Sequence, residues 1–161
     1  MTILWLFNVT LGIALGAGLY ESRIVVPQWL ITEPGSGSRW NAQAAREADV
    51  GLRFWVYVTT VPLTVLTVAS LVAAWWTPQP VRSWWLIACA VALVERAMTF
   101  TYFIPTMIAL MREGALSGPA AASKARQWMT LGYVRHAATL IAWLAAMMAL
   151  SLSREMAATA A

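Results

Sequence analysis

Apolar residues dominate the chain in four long runs, and short polar stretches separate these runs. They cover about residues 3–24, 54–76, 84–111 and 127–152, and a helix needs roughly 20 mostly apolar residues to cross a bilayer. Polar and apolar positions do not alternate, so the runs do not read as transmembrane β-strands, and lipid-embedded backbone then requires helices. The pattern predicts an all-α fold. Residues 1–161 are expected to form a single membrane domain, a four-helix transmembrane bundle.

The connection between the first and second runs, about residues 25–53, is the longest in the chain. It contains "TEPGSGSRWN", whose turn-forming residues predict an exposed loop. The following "NAQAAREADVGLRF" has the pattern of an amphipathic helix that lies along the membrane surface. Connections of this length in small domains are often lids or binding loops, so we expect such a role here.

Composition and charge agree with a membrane protein. Hydrophobic residues make up 60% of the chain and charged residues 11%, with a mean hydropathy of +0.65. The net charge of +4 suits loops that face anionic lipids better than nucleic acid. The first and third connections carry most of the Lys and Arg, so the positive-inside rule predicts a multi-pass protein with both termini outside the cytoplasm, as in a bacterial inner membrane. The single cysteine, Cys89, excludes an internal disulfide.

Ionisable residues interrupt the apolar runs at Glu95, Arg96, Arg135 and His136. A charge at the bilayer centre costs at least about 2.5–3.5 kcal/mol, so we expect these side chains to face the bundle interior. Adjacent residues project about 100° apart around a helix, so each is expected to find its partner on another helix. We predict that Glu95 pairs with Arg135 or His136, and that Arg96 meets Glu21 through water or a ligand.

Two interpretations of this polar cluster stay open. It either forms a buried salt-bridge network that fixes helix register or lines a polar pocket. His136, the only histidine, is the first candidate for a general base or, alternatively, for a single haem ligand. The candidate catalytic residues are His136, Glu21 and Glu95, and their spacing does not indicate a metal site. The candidate substrate-binding residues are Arg96, Arg135, Arg53, Tyr20, Tyr57, Tyr102, Phe103, Thr106 and Trp128.

Three further features bear on packing. The GxxxG pattern of Gly12 and Gly16 allows a second helix to approach closely. Pro105 removes a backbone N–H in the third run, so we expect a bend near Thr101. Most tryptophans fall where aromatic belts form at the two membrane interfaces. They are Trp5, Trp75, Trp76, Trp84 and Trp85 on the outer side and Trp29, Trp40, Trp55 and Trp128 on the inner side.

The stretches "GAGLYESRIVVPQW", "TYFIPTM" and "QWMTLGYVRH" lie on three of the predicted helices. Together they resemble the small four-helix membrane proteins of the anthrone oxygenase-like family (DUF1772), over nearly the whole chain. The positions that match the family pattern are Tyr20, Glu21, Pro27, Trp29, Phe103, Pro105, Thr106, Trp128 and Arg135. Family members often carry an asparagine three residues before that arginine, where this chain has Gly132.

The resemblance implies a cofactor-free monooxygenase that acts on a lipophilic, anthrone-like aromatic substrate. A base would remove an acidic C–H proton, and Arg96, Arg135 or Tyr102 would stabilise the resulting oxyanion. No cofactor is expected, and the partners would be a lipophilic small molecule and membrane lipids, with no nucleic acid. The sequence leaves other functions open: an accessory subunit of a larger membrane complex, a homo-oligomeric component, a haem- or quinone-binding redox protein, or a small transporter.

Overall fold

The computed structural model describes residues 1–33, 37–112 and 118–159. Within these residues four helices are long and apolar enough to cross a membrane: α1 (Thr2–Trp29), α3 (Gly51–Trp75), α4 (Val81–Met111) and α5 (Gly118–Thr159). Strands β1 (Leu30–Glu33) and β2 (Gly37–Trp40) and the short helix α2 (Ala42–Ala48) connect α1 to α3. The predicted fold class is confirmed: the chain is an all-α transmembrane helical bundle and a multi-pass membrane protein.

The four long helices pack in the cyclic order α1, α3, α4, α5, and each runs antiparallel to both of its neighbours. One half of the bundle carries β1, β2 and α2 at its end, and we call it the hairpin half. The opposite half is filled by apolar side chains such as Leu4, Phe7, Leu11 and Leu63. Buried alanines on α5 let its backbone come close to α1 and α4.

Close approach between α1 and α5 occurs at glycines, although not at both glycines of the predicted pattern. A Cβ atom on Gly12 would lie 3.3 Å from Trp143 Nε1, so the helices are in tight contact there. A Cβ atom on Gly16 would meet nothing within 4 Å. The closest approach is at Gly18, where a Cβ atom would lie 2.5 Å from His136 Cε1.

Three of the spanning helices contain π-helical turns, at Glu21–Val25 in α1, Gly51–Thr60 in α3 and Thr99–Phe103 in α4. A proline lies two residues beyond the end of each turn, at Pro27, Pro62 and Pro105. Proline lacks an N–H, and its ring clashes with the carbonyl four residues earlier in a regular α-helix. Local π-helical widening relieves this conflict inside a membrane helix. The disturbance predicted at Pro105 takes this form.

The connection between α1 and α3 is more ordered than the sequence indicated. β1 and β2 pair antiparallel, with Leu30 opposite Trp40, and residues 34–36 at the turn lie outside the described part of the chain. Trp40 Nε1 donates to the Leu110 carbonyl at 3.0 Å, and Arg46 Nη1 donates to the Met111 carbonyl at 2.6 Å. These bonds satisfy carbonyls that the end of α4 leaves free. The prediction of an exposed loop does not hold at Trp40, which is buried and folds back under the bundle, whereas Arg39 beside it is exposed.

Candidate functional site

A cavity of about 140 Å³ lies in the hairpin half of the bundle. Its polar lining residues are Glu21, Thr59, Thr60, Glu95, Arg96, Thr99, Arg135, His136 and Thr139. Its aromatic lining residues are Trp29, Trp55, Phe103 and Trp128. Each of the three π-helical turns supplies some of these side chains, so the widened turns of α1, α3 and α4 meet around one space.

The cavity is open between the first residues of α3 and the last turn of α4. Gly51 of α3 and Ile108 of α4 line it, and both are exposed, Ile108 to 50%. Trp29, Ala45 and Val50 close its floor at the hairpin end. The cavity therefore reaches the protein surface between two spanning helices.

Glu95 and Arg96 form an ion pair with each other, which corrects the expectation that each needs a partner on another helix. Arg96 Nε donates to Glu95 Oε2 at 2.6 Å, and Arg96 Nη2 donates to Glu95 Oε1 at 2.8 Å. Thr99 Oγ1 donates to the same Oε1 atom at 2.9 Å. The two backbone positions do diverge around the helix, but the long arginine side chain folds back far enough to reach its neighbour. The pair is buried and neutral as a unit.

Arg135 is the cation of the cavity that lacks a direct partner. Its guanidinium lies 4.2 Å from the centre of the Phe103 ring and 5.7 Å from that of Trp128. Glu21 and Glu95 attract it electrostatically, yet it forms no ion pair or hydrogen bond with any residue in the described part of the chain. Trp128 is itself fixed, because its indole donates to the Phe103 carbonyl at 3.1 Å. Arg135 therefore rests on a rigid aromatic platform with its N–H groups available.

Glu21 is a carboxylate of the cavity, and only one of its two oxygens is engaged by a described residue. Trp55 Nε1 donates to Glu21 Oε1 at 2.7 Å, across the gap between α1 and α3. Within the described residues Glu21 Oε2 accepts no further hydrogen bond, whereas both oxygens of Glu95 are engaged. Glu21 is 6% exposed, so its carboxylate is buried at the wall of the cavity.

His136 is held on both sides of its ring. Its Nε2 and the hydroxyl of Ser22 share a hydrogen bond of 2.9 Å. On its other side the ring packs on Gly18, where a Cβ atom would lie 2.9 Å from Nδ1. Nε2 is thus engaged with Ser22 and Nδ1 lies close to the backbone of α1, an arrangement that does not suit a haem ligand.

The remaining predicted site residues lie outside the cavity. Tyr20 and Tyr57 point away from the bundle, with exposed fractions of 61% and 72%, and Arg53 is also exposed. Tyr102 and Thr106 are at least partly buried on α4 but are not among the lining residues. Arg53, Tyr57 and Tyr102 lie within the π-helical segments of α3 and α4, where a widened turn shifts which side chains face inward.

Trp55 lines the cavity, and Ser22 bonds to His136 beside it. The sequence places Trp55 in an interfacial belt instead and carries no signal for Ser22. The available signal was the proline on each of three helices, Pro27, Pro62 and Pro105, since each lies just beyond a turn that lines the cavity. Among the described residues, no group of three His, Cys, Asp or Glu side chains could hold a metal ion. No protein-family model, curated protein or solved structure matches this chain.

Proposed function

We propose that this protein binds a lipophilic aromatic molecule in its intramembrane cavity and oxidises it with molecular oxygen, without a cofactor. The observation that carries the proposal is that unused hydrogen-bond donors and an unused carboxylate oxygen lie in the same buried cavity. Arg135 offers N–H donors that no described residue uses, and Glu21 offers a carboxylate oxygen that accepts nothing. A donor and a base beside aromatic walls suit a ligand with an acidic proton and an oxygen that becomes negative.

The cavity volume sets the size of what can enter. An engineered protein cavity of about 150 Å³ accommodates benzene, so a cavity of about 140 Å³ holds roughly one aromatic ring. A three-ring substrate would place one ring against Phe103 and Trp128 and extend the others through the opening between α3 and α4. The hydrocarbon of the bilayer would solvate the protruding part, which favours lipophilic substrates.

An anthrone illustrates the chemistry in balanced form. Glu21 takes one proton from the acidic CH₂ group, and Arg135 stabilises the negative charge that is delocalised onto the carbonyl oxygen of the anthrone. The carbanion gives an electron to O₂ and combines with the reduced oxygen to form a peroxide anion, which regains the proton from Glu21. Loss of water from the hydroperoxide breaks the O–O bond and the second C–H bond. One oxygen atom ends in the new carbonyl and the other in water.

Charge balance supports this assignment. Glu95 and Arg96 neutralise each other, so Glu21 and Arg135 are the remaining opposite charges of the cavity. A neutral ligand that transfers a proton to Glu21 leaves a neutral carboxylic acid and an anion beside Arg135. The net charge of the buried site stays at zero throughout, which matters because charge in the membrane interior is costly.

The proposed membership in the anthrone oxygenase-like family has support from the placement of the three motifs. "GAGLYESRIVVPQW" contributes Glu21 and Trp29 to the cavity, "TYFIPTM" contributes Phe103, and "QWMTLGYVRH" contributes Trp128 and Arg135. Stretches that are far apart in sequence thus line one space. We also propose that the protein lies in a bacterial inner membrane with both termini outside the cytoplasm. The distribution of Lys and Arg among the connections supports this orientation.

Quinone binding without turnover is the second candidate function. The observation that favours it is the small number of free reactive groups: both oxygens of Glu95 and Nε2 of His136 are already hydrogen-bonded. A quinone carbonyl could accept from Arg135, and its ring could stack in the aromatic part of the cavity. Such a protein would not need Glu21 as a base.

The test is an oxidation assay on the full chain in detergent micelles or nanodiscs. Anthrone and oxygen are supplied, and oxygen uptake and anthraquinone absorbance are followed. We expect oxidation faster than in empty micelles, and a loss of about 100-fold in Arg135→Gln, the scale typical of one oxyanion donor. Arg126→Gln is the matched control, because Arg126 is an exposed arginine of the same helix and should keep full activity.

Two results would overturn the oxygenase proposal. The first is a wild-type rate no higher than that of empty micelles. The second is an equal loss in Arg135→Gln and Arg126→Gln. Binding of anthraquinone, measured by quenching of tryptophan fluorescence, then distinguishes the candidates: binding that depends on Arg135 without turnover identifies a quinone-binding protein.

A further inference from the structure

Four residues of α1 and α5 interlock next to the cavity. Gly18 and Ser22 lie four residues apart on α1, and Gly132 and His136 lie four residues apart on α5, so each pair shares one face of its helix. A Cβ atom on Gly18 would lie 2.5 Å from His136 Cε1 and 2.9 Å from Nδ1, so the imidazole fills the space that this glycine leaves.

The reciprocal contact, of a side chain of α1 against a glycine of α5, also occurs. A Cβ atom on Gly132 would lie 3.5 Å from Ser22 Oγ and 3.9 Å from His136 Nε2, so the serine lies against this glycine in turn. The 2.9 Å hydrogen bond between Ser22 Oγ and His136 Nε2 joins the two side chains. All four positions are buried. We call these four residues the α1–α5 clamp.

The clamp is attached directly to the cavity. Ser22 follows Glu21 in the first residues of the π-helical turn Glu21–Val25. A π-helical turn has poorer geometry than an α-helix and needs outside support to persist. Trp55 holds the Glu21 carboxylate from α3, and the clamp holds the backbone of the same turn from α5.

We propose that His136 is a positioning residue, which acts through Ser22 to hold Glu21 in the cavity, and that the α1–α5 clamp as a whole sets the place of that carboxylate. The inference rests on the proposed role of Glu21 as the base. It assigns to His136 a role different from the general base that its residue type indicates. A base must have a nitrogen lone pair that faces the substrate, whereas in His136 Nε2 faces Ser22 and Nδ1 lies against Gly18.

Substitutions of His136 that differ only in hydrogen bonding separate the two roles. Glutamine can present an amide near the position of Nε2 and keep the bond to Ser22, but it cannot act as a base. Leucine fills a similar volume and cannot make the bond. For a positioning residue, His136→Gln should retain turnover within a few fold, and His136→Leu and Ser22→Ala should lower kcat by about 10- to 100-fold, as expected when a reacting group is displaced by about 1 Å. Thr10→Ala is the matched control for Ser22→Ala, because its buried hydroxyl bonds only to the Leu6 carbonyl of its own helix.

A second readout follows Glu21 without any substrate. The indole N–H of Trp55 donates to Glu21 at 2.7 Å, so its signal in the NMR spectrum of ¹⁵N-tryptophan-labelled protein reports where the carboxylate lies. The signal is assigned by its disappearance in Trp55→Phe. We expect it to shift in His136→Leu and Ser22→Ala, and to stay at the wild-type position in His136→Gln and Thr10→Ala.

The outcomes decide the inference separately from the proposed function. An unchanged Trp55 signal in both His136→Leu and Ser22→Ala would overturn the clamp. A loss of turnover in His136→Gln as large as in His136→Leu, with an unchanged Trp55 signal, would return His136 to the role of base. If the wild-type protein oxidises no substrate, the proposed function fails, and the NMR comparison still shows whether the clamp places Glu21.

Discussion

Replacing Gly18 by alanine is the sharpest test of how α1 and α5 pack. The new Cβ atom would lie 2.5 Å from His136 Cε1 and 2.9 Å from Nδ1, whereas carbon atoms in contact prefer about 3.5–4.0 Å. The imidazole would have to retreat by about 1 Å. Overpacking of this kind costs about 1–3 kcal/mol, and separating the ring from Ser22 leaves buried polar groups unsatisfied at a further 1–3 kcal/mol or so.

The expected loss in free energy of unfolding for Gly18→Ala is therefore about 1–5 kcal/mol, after the favourable helix propensity of alanine is subtracted. Gly16→Ala is the matched control two residues earlier on the same helix, where a Cβ atom meets nothing within 4 Å. It should be neutral or stabilising by up to about 1 kcal/mol. Reversible unfolding in mixed micelles measures both variants. Equal stabilities within about 0.5 kcal/mol, the scale of an ordinary surface substitution, would refute the close packing of α1 against His136.

Three further predictions concern hydrogen bonds of Trp55, Glu95 and Trp40. Trp55→Phe removes the donor to Glu21 and should lower turnover about 10-fold in the oxygen-uptake assay, and an unchanged rate would contradict a role for this bond. Glu95→Gln leaves Arg96 as a buried unpaired charge and should destabilise the protein by about 3–5 kcal/mol. The double variant with leucine at both positions should unfold closer to wild type, and a double variant as unstable as Glu95→Gln would contradict this. Trp40→Phe leaves a carbonyl at the end of α4 without its donor, so proteolysis of the connection between α1 and α3 should accelerate, whereas unchanged cleavage would count against the anchoring role.

The large-scale features of this fold follow from hydrophobic length alone. Four apolar runs become four spanning helices because the bilayer leaves the backbone no other way to satisfy its hydrogen bonds. The same physics predicts that Glu95, Arg135 and His136 face inward, and all three line the cavity. Single-residue periodicity was less reliable where the helices are not regular. Tyr57 was placed on the inner face of α3 by α-helical spacing, yet the π-helical segment Gly51–Thr60 turns it outward.

Pairing within the polar cluster could not be read from the sequence, because it depends on side-chain conformation. Glu95 and Arg96 pair as neighbours because the arginine side chain is long enough to fold back, although their separation of about 100° around the helix indicates partners on other helices. The tryptophans show the same limit. Trp40, Trp55 and Trp128 have the positions of an interfacial belt, yet each indole N–H is bonded to the protein, two of them to carbonyls of α4 and one to Glu21.

The prolines connect these observations physically. Pro27, Pro62 and Pro105 lie on three different helices, and each follows a π-helical turn that contributes to the same cavity. A regular bundle of four helices with this much alanine on α5 would close its interior completely, as it does in the half away from the hairpin. Widened turns of three helices line the part that stays open, and the Phe103 carbonyl at the end of one of them accepts from Trp128 on a neighbouring helix. We therefore attribute the cavity to the π-helical turns that the three prolines favour. Substituting Pro62 by alanine should narrow the cavity from the side of α3 without altering either Glu21 or Arg135.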